Sequence, residues 1–200
     1  MAAAVPAQYV LERLSQLSTL NVKQTTWGYN GSNFKVLTED DEVLINLNEN
    51  LPNTIFRAGA RRLFEFDAVD NAGTKLFSFQ REYGIFMTKQ RVKLYMDGGL
   101  VSVIHMNLKC CKPVLSINDA QDNPVLRLKG KLTNLSFFQL QTSDKTAIGA
   151  INKKFRGWTV ELTTFKNDYI ISVPADLAVT FKIAVIVACV FIDFGFHDGR

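Results

Sequence analysis

A chain of 200 residues with 47% hydrophobic and 21% charged side chains has the composition of an ordinary globular domain, for which about 45–50% and about 25% are typical. That excludes a disordered tail, a collagen or a polar solenoid, and the length suffices for a core without disulfide staples. The net charge of +4 arises wholly in the second half: residues 1–100 carry 11 basic and 11 acidic side chains, residues 101–200 carry 12 and 8. An excess this small permits attraction to anionic lipid or nucleic acid without requiring it.

The first predicted element is a helix. Tyr9, Val10, Leu14, Leu17 and Leu20 fall near helical spacing behind Pro6, a residue suited to a first helical turn. The pattern puts an N-terminal helical segment at 1–24 and a single barrel domain at 25–200. Four times an apolar run meets a short turn rich in Asp, Asn, Gly or Pro and then a second apolar run. The pairs are Phe34–Thr38 with Val43–Leu47, Phe64–Ala68 with Leu76–Phe79, Val114–Ile117 with Val125–Leu128, and Phe137–Leu140 with Ala147–Ile151. Repeated hairpins without interleaved helices predict an antiparallel barrel or sandwich. Gly73 is expected to supply a positive φ in its turn. Asp97-Gly98-Gly99 is the one place where a two-domain split would fall, although no Pro- or Ser-rich linker marks it.

The last thirty residues differ. Pro174-Ala-Asp176 reads as a helix start with Asp176 as N-cap, and the central helix is drawn at 176–194. Its unbroken apolar decade, Ile183–Ile192, carries Ile183, Val187 and Phe191. The run is shorter than the roughly 20 residues of a membrane span and is bracketed by Lys182 and Asp193, which favours a helix enclosed by the sheet. Its β-branched content leaves a buried strand as the rival reading.

Chemistry is sparse. His105 and His197 have no metal-ligand spacing, and no phosphate-loop, nucleophile-elbow or zinc-protease pattern occurs, so no catalytic residue is assigned. Fifteen phenylalanines suit an apolar core better than a base-stacking platform, and nucleic acid is not expected as a partner. Cys110 and Cys111 are too close to suit a redox or zinc motif and read as packing or as lipid-acceptor sites. With three cysteines and no signal peptide pattern, an intracellular, reducing location is expected. Arg127, Lys129, Lys131, Lys153, Lys154 and Arg156 read either as a basic patch for anionic headgroups or as solvated sheet positions. Asp67, Asp70 and Asn71 resemble the start of a calcium loop but suit a hairpin turn better.

The C-terminal third resembles the closing region of phospholipid scramblases. The resemblance rests on Gly149-Ala-Ile-Asn-Lys-Lys-Phe-Arg-Gly-Trp158, on Tyr169-Ile-Ile-Ser-Val-Pro-Ala-Asp176 and on Phe181 through Phe194, whose ending Ala188-Cys-Val-Phe-Ile-Asp-Phe194 is the most specific piece. It extends more faintly back to residue 25. That family is similar in fold to the tubby C-terminal domain, a closed twelve-stranded antiparallel barrel around a central hydrophobic helix. The resemblance implies ATP-independent, bidirectional movement of phospholipids between leaflets, with calcium as a stimulus. The stretch matching the family's calcium segment offers Asn167, Asp168 and Asp176, but Phe165 stands at its leading acidic position and Lys166 adds positive charge, so only weak, millimolar binding is expected. The alternative is a tubby-like barrel that binds anionic phospholipid or a protein partner and moves no lipid. The Pro-rich arm and multi-cysteine cluster of animal scramblases have no counterpart here, and Ala2 does not fit N-myristoylation. The implied location is the cytoplasmic face of the plasma membrane or the cytoplasm, with the nucleus as a further family location.

Overall fold

In the computed structural model, the described residues are 7–26, 31–50, 63–82, 90–109, 112–131, 133–154 and 167–196. They begin with a helix, α1 (Ala7–Gln16), and continue as β1 (Thr19–Thr26), β2 (Asn33–Leu37), β3 (Val43–Glu49), β4 (Glu65–Val69), β5 (Lys75–Glu82) and β6 (Gln90–Met96). Then come β7 (Gly99–Lys109), β8 (Lys112–Asn118), β9 (Pro124–Lys131), β10 (Asn134–Thr142), β11 (Ala147–Lys154), β12 (Asp168–Ser172) and a last helix, α2 (Val179–Phe196). Each strand pairs antiparallel with its neighbours in sequence, and β1 pairs with β12 to close the barrel. Cross-strand period two fills the inside: Leu20 and Val22, Phe34 and Val36, Phe77 and Phe79, Leu115 and Ile117 are buried, while Lys35, between Phe34 and Val36, faces out.

Four of the tight turns share one design. In 38–42, 70–74, 119–123 and 142–146 the first residue's N–H donates to the fifth residue's carbonyl, and the fourth residue's N–H donates back to the first residue's carbonyl. The fourth residue takes a positive φ: Asp41 63°, Gly73 85°, Asp122 66° and Lys145 75°. This is the three-residue hairpin loop in which a type I turn is followed by a left-handed residue. Asp70 Oδ1 accepts from the N–H groups of Ala72 and Thr74, both at 2.8 Å, and Asp119 Oδ1 does the same for Gln121 and Asn123. The Asp70 carboxylate therefore shapes a turn, and Asp67 pairs with Lys75 at 2.6 Å.

Two expectations change. Thr19–Thr26 is the first barrel strand, so the barrel begins before residue 25. Leu17 and Leu20 match helical spacing by coincidence, because Leu20 belongs with Val22 to a period-two run that β12 and β2 both pair. Asp97-Gly98 is the two-residue turn of the β6–β7 hairpin and no domain boundary; its φ values, 49° and 77°, are both left-handed, as a type I′ turn requires. The cap of α2 is not Asp176. The first carbonyl accepting helical bonds is that of Ala178, which takes the N–H groups of Phe181 and Lys182, while Leu177 N–H bonds Pro174 in a preceding turn. A chain leaving β12 at the barrel rim must fold back before it can enter along the axis, and residues 174–177 make that reversal.

The helix α2 runs through the barrel with residues 182–194 buried without a break. Ile183, Val187 and Phe191 are fully enclosed. By length and composition alone Val179–Phe196 could cross a bilayer; here the sheet takes the place of lipid. Near the helix's C-terminal end the phenylalanines cluster. Phe64 lies 4.7 Å from Phe194 between ring centroids, and Phe66 stacks on Phe79 at 4.9 Å. The guanidinium of Arg81 sits 5.4 Å from the centre of the Phe191 ring and donates to Gln90 Oε1 at 2.5 Å. At the other end α1 lies across the barrel with Val10 and Leu14 buried against the core.

Candidate functional site

Because the strands run up and down in sequence order, every hairpin turn named above falls at one end, together with α1 and the entry to α2. That turn end is acidic: Glu39–Glu42, Asp70, Asp97, Asp119, Asp122, Asp144 and Asp176 all lie there. At the opposite, open end, strands start or finish on Lys109, Lys112, Lys131 and Lys154 but also on Glu49, Glu65, Glu82 and Asp168. The acidic excess therefore belongs to the turn end, while the open end carries both signs.

Among the described residues, a groove on the outer wall belongs to β9 and β10. Arg127, Lys129 and Lys131 alternate outward while Leu126, Leu128 and Gly130 turn inward. Gly130 has a packing reason: a Cβ there would stand 2.6 Å from Phe138 Cε1, so the phenyl ring occupies the space a side chain would need. The β9–β10 register slips between Asn134 and Phe138. Adjacent Phe137 and Phe138 then take opposite faces, Phe138 buried at 1% exposure and Phe137 at 41%. Lys129, Gly130, Lys131, Asn134, Phe137 and Gln139 line a shallow groove of about 270 Å³. Beside it, Arg127 Nε donates to Gln141 Oε1 at 2.8 Å and Gln141 Nε2 donates to Gln139 Oε1 at 2.7 Å. Arg127 is thus engaged in ordering the strip. Lys129 and Lys131 are exposed and form no ion pair among the described residues.

The other basic candidates go elsewhere. Lys153 shares the Ile151 face of β11, opposite Tyr169 on β12. Lys154 takes the outer face and approaches Asn21 Oδ1 at 3.5 Å. Arg156, Cys110 and Cys111 lie outside the described residues. Sequence reasoning named the β9 cations that line this groove and did not name Asn134, Phe137 and Gln139. The signal available was the Phe137-Phe138 pair, since one of two adjacent strand residues must point away from the core.

Asn167, Asp168 and Asp176 do not converge. Asn167 Nδ2 donates to Asp193 Oδ1 at 2.7 Å near the open end, whereas Asp176 lies in the turn before α2, about 20 Å away by helical rise. Asp168 is 7% exposed and pairs in the sheet with Lys23 and Lys154. Calcium wants six to eight converging oxygens, and these three side chains do not fit one such site. Instead they belong to different polar contacts around α2. Asp193 also accepts from Tyr169 Oη at 2.7 Å. Burial raises the pKa of Tyr169 and of Cys189, and the Asp193 charge pushes both in the same direction. At the turn end, Lys182 Nζ donates to the backbone carbonyls of Leu14, Ser15, Leu17 and Ala175 at 3.3, 2.5, 2.8 and 2.8 Å. Desolvation lowers the pKa of this ammonium, and the Asp176 charge opposes that shift.

Comparison with known proteins gives a consistent picture. A family model described as Scramblase matches residues 3–199. Phospholipid scramblase 2 of Bos taurus is 26% identical over 152 residues, covering 70% of this chain and 52% of that protein. Phospholipid scramblase family member 5 of Homo sapiens is 33% identical over 92 residues, 43% of this chain and 34% of that one. Phospholipid scramblase 1 of Mus musculus is 25% identical over 152 residues, 70% and 46%. The chain thus spans about half the length, or less, of these relatives. An X-ray structure of a protein from Arabidopsis thaliana superposes with a TM-score of 0.53 at 12% identity, over 88% of this chain and 91% of that one, and shares the fold.

Proposed function

Because the chain belongs to the Scramblase family, we propose that it engages anionic phospholipids at the cytoplasmic face of a membrane and promotes their ATP-independent movement between leaflets in both directions. The observation that carries this reading is the family match over nearly the whole chain. The unpaired Lys129 and Lys131 beside an exposed aromatic support it, because ammonium groups suit phosphate oxygens and an aromatic ring suits the headgroup boundary. The physical task is to reduce the cost of drawing a charged headgroup through hydrocarbon. No covalent step is needed, and no side chain is assigned one.

A second reading has its own observation. With α2 enclosed and its Lys182 and Asp193 hydrogen-bonded inside the barrel, a protein of this shape can bind headgroups, or a protein partner, without placing α2 across the bilayer. A leaflet-exchange assay decides between the two. Vesicles carrying fluorescent phospholipid and the reconstituted protein are exposed to a membrane-impermeant quencher, with calcium present or chelated. Transport predicts loss of signal well beyond the outer-leaflet half. Loss of that half alone, with incorporation verified, leaves the binding reading. Calcium is a variable of the assay because Asn167, Asp168 and Asp176 do not form one site; calcium-dependent exchange would require a different set of ligands.

A further inference from the structure

We propose that the β9–β10 rim is the footprint by which the barrel sits on an anionic bilayer, with Lys129 and Lys131 against lipid phosphates, Phe137 entering the headgroup boundary and the acidic turn end held away. The proposal rests on the phospholipid reading and adds to it which surface meets the membrane and in which orientation.

Three observations converge on this surface. The two lysines flank a groove that also offers the Asn134 and Gln139 amides. Phosphate oxygens accept from both ammonium and amide donors. Phe137, at 41% exposure, is one of two large apolar side chains exposed among the described residues, and the other, Tyr9, lies on α1 at the turn end. Its exposure is built in, since the Phe138 ring fills the space over Gly130 and leaves no inward position for its neighbour. Charge then sets the tilt. The 18-residue helix α2 makes the ends about 27 Å apart, several times the Debye length of about 8 Å at physiological salt. The acidic turns therefore do not cancel the attraction felt by Lys129 and Lys131, but they are repelled whenever they approach an anionic surface themselves. The turn end is therefore the one disfavoured against an anionic surface.

The test is sedimentation with vesicles of phosphatidylcholine alone or with about one-third phosphatidylserine. Each basic residue near such a surface contributes about 1 kcal/mol, or about fivefold, so K129Q/K131Q is expected to bind the anionic vesicles roughly 25-fold more weakly than the parent. K129R/K131R, which keeps the charge, is expected to bind as the parent does. K35Q/K145Q, with the same net charge but changed on β2 and in the 142–146 turn, is expected to stay within about twofold. In F137W, after subtraction of the parent's Trp27 and Trp158 emission, the added tryptophan is expected to shift to the blue on anionic vesicles and to be quenched by lipids brominated near the headgroup. Equal loss in K129Q/K131Q and K35Q/K145Q would overturn the footprint and leave only net-charge attraction. Parent-like binding by K129Q/K131Q would overturn it while leaving the phospholipid reading standing. Failure of the parent protein to bind either vesicle would overturn both.

Discussion

Lys182 and Asp193 are buried near opposite ends of the same apolar helix, at 0% and 1% exposure, and they are stabilised in different ways. Lys182 is held by the backbone: four carbonyls from the end of α1 and the turn before α2 surround its ammonium, including carbonyls that the end of α1 leaves without a helical partner. Asp193 is held by side chains, with Tyr169 Oη and Asn167 Nδ2 donating to one oxygen. Among the described residues, the lysine therefore joins three segments of chain, and the aspartate ties the helix to the start of β12. These two charges anchor α2 as the barrel core.

Several experiments would break or sharpen this contrast. Ile186→Asp, midway between the two anchors, places a carboxylate where the surroundings are apolar. It is expected to leave the protein unfolded or aggregated, since an unpaired buried charge costs several kcal/mol; a soluble variant with a normal melting transition would show that α2 is not core. Lys182→Met is expected next, at about 3–5 kcal/mol, because it removes the donor and leaves buried acceptors unpaired. Asp193→Asn retains an acceptor for Tyr169 and should cost only about 1–2 kcal/mol. Urea melts rank the two, and hydrogen exchange should show α1 released by the first substitution and retained by the second. Equal losses, with α1 protected in both, would remove the distinction.

The smallest effect concerns the acidic turns away from α2. Backbone N–H bonds, led by that of Asn123, hold the exposed Asp119 carboxyl below its usual range. Burial pushes Asp122 the other way but is outweighed by hydrogen bonds from His105 and Asn118 and by nearby positive charge. A carboxyl lowered on folding stabilises the protein fully above its unfolded value, about 3.9, and that contribution is lost as the pH falls through the lower folded value. The parent should therefore lose stability below about pH 4, and D119N should show a shallower loss over that range. An unchanged slope would mean that the turn does not couple to folding.

Much of the barrel was legible. The four hairpins announced by apolar runs and Asp- or Gly-rich turns are β2–β3, β4–β5, β8–β9 and β10–β11, because turn chemistry and period-two alternation are local properties. Asp97-Gly98, where a split would have fallen, is the turn of a further hairpin, β6–β7. β1 and β12 were harder to see, since their pairing joins residues about 150 apart in sequence. At the candidate surface, alternation in β9 puts Lys129 and Lys131 on one face, and the same rule puts Lys153 and Lys154 on opposite faces of β11. What each of the two meets is set by β12, which places Tyr169 opposite Lys153 and Asp168 opposite Lys154.

By itself the sequence determined the alternating strands, the turn positions and an apolar segment that had to be hidden from water, because burial pattern and turn preference act over a few residues. The helix was already favoured over a buried strand; the tertiary structure decided between them, showed how its two charges are satisfied, and gathered the acidic turns at one end. The reason is closure. Inside a sealed barrel no strand edge remains to pair with, so a chain passing through it must satisfy its own N–H and C=O groups, which a helix does and a strand cannot.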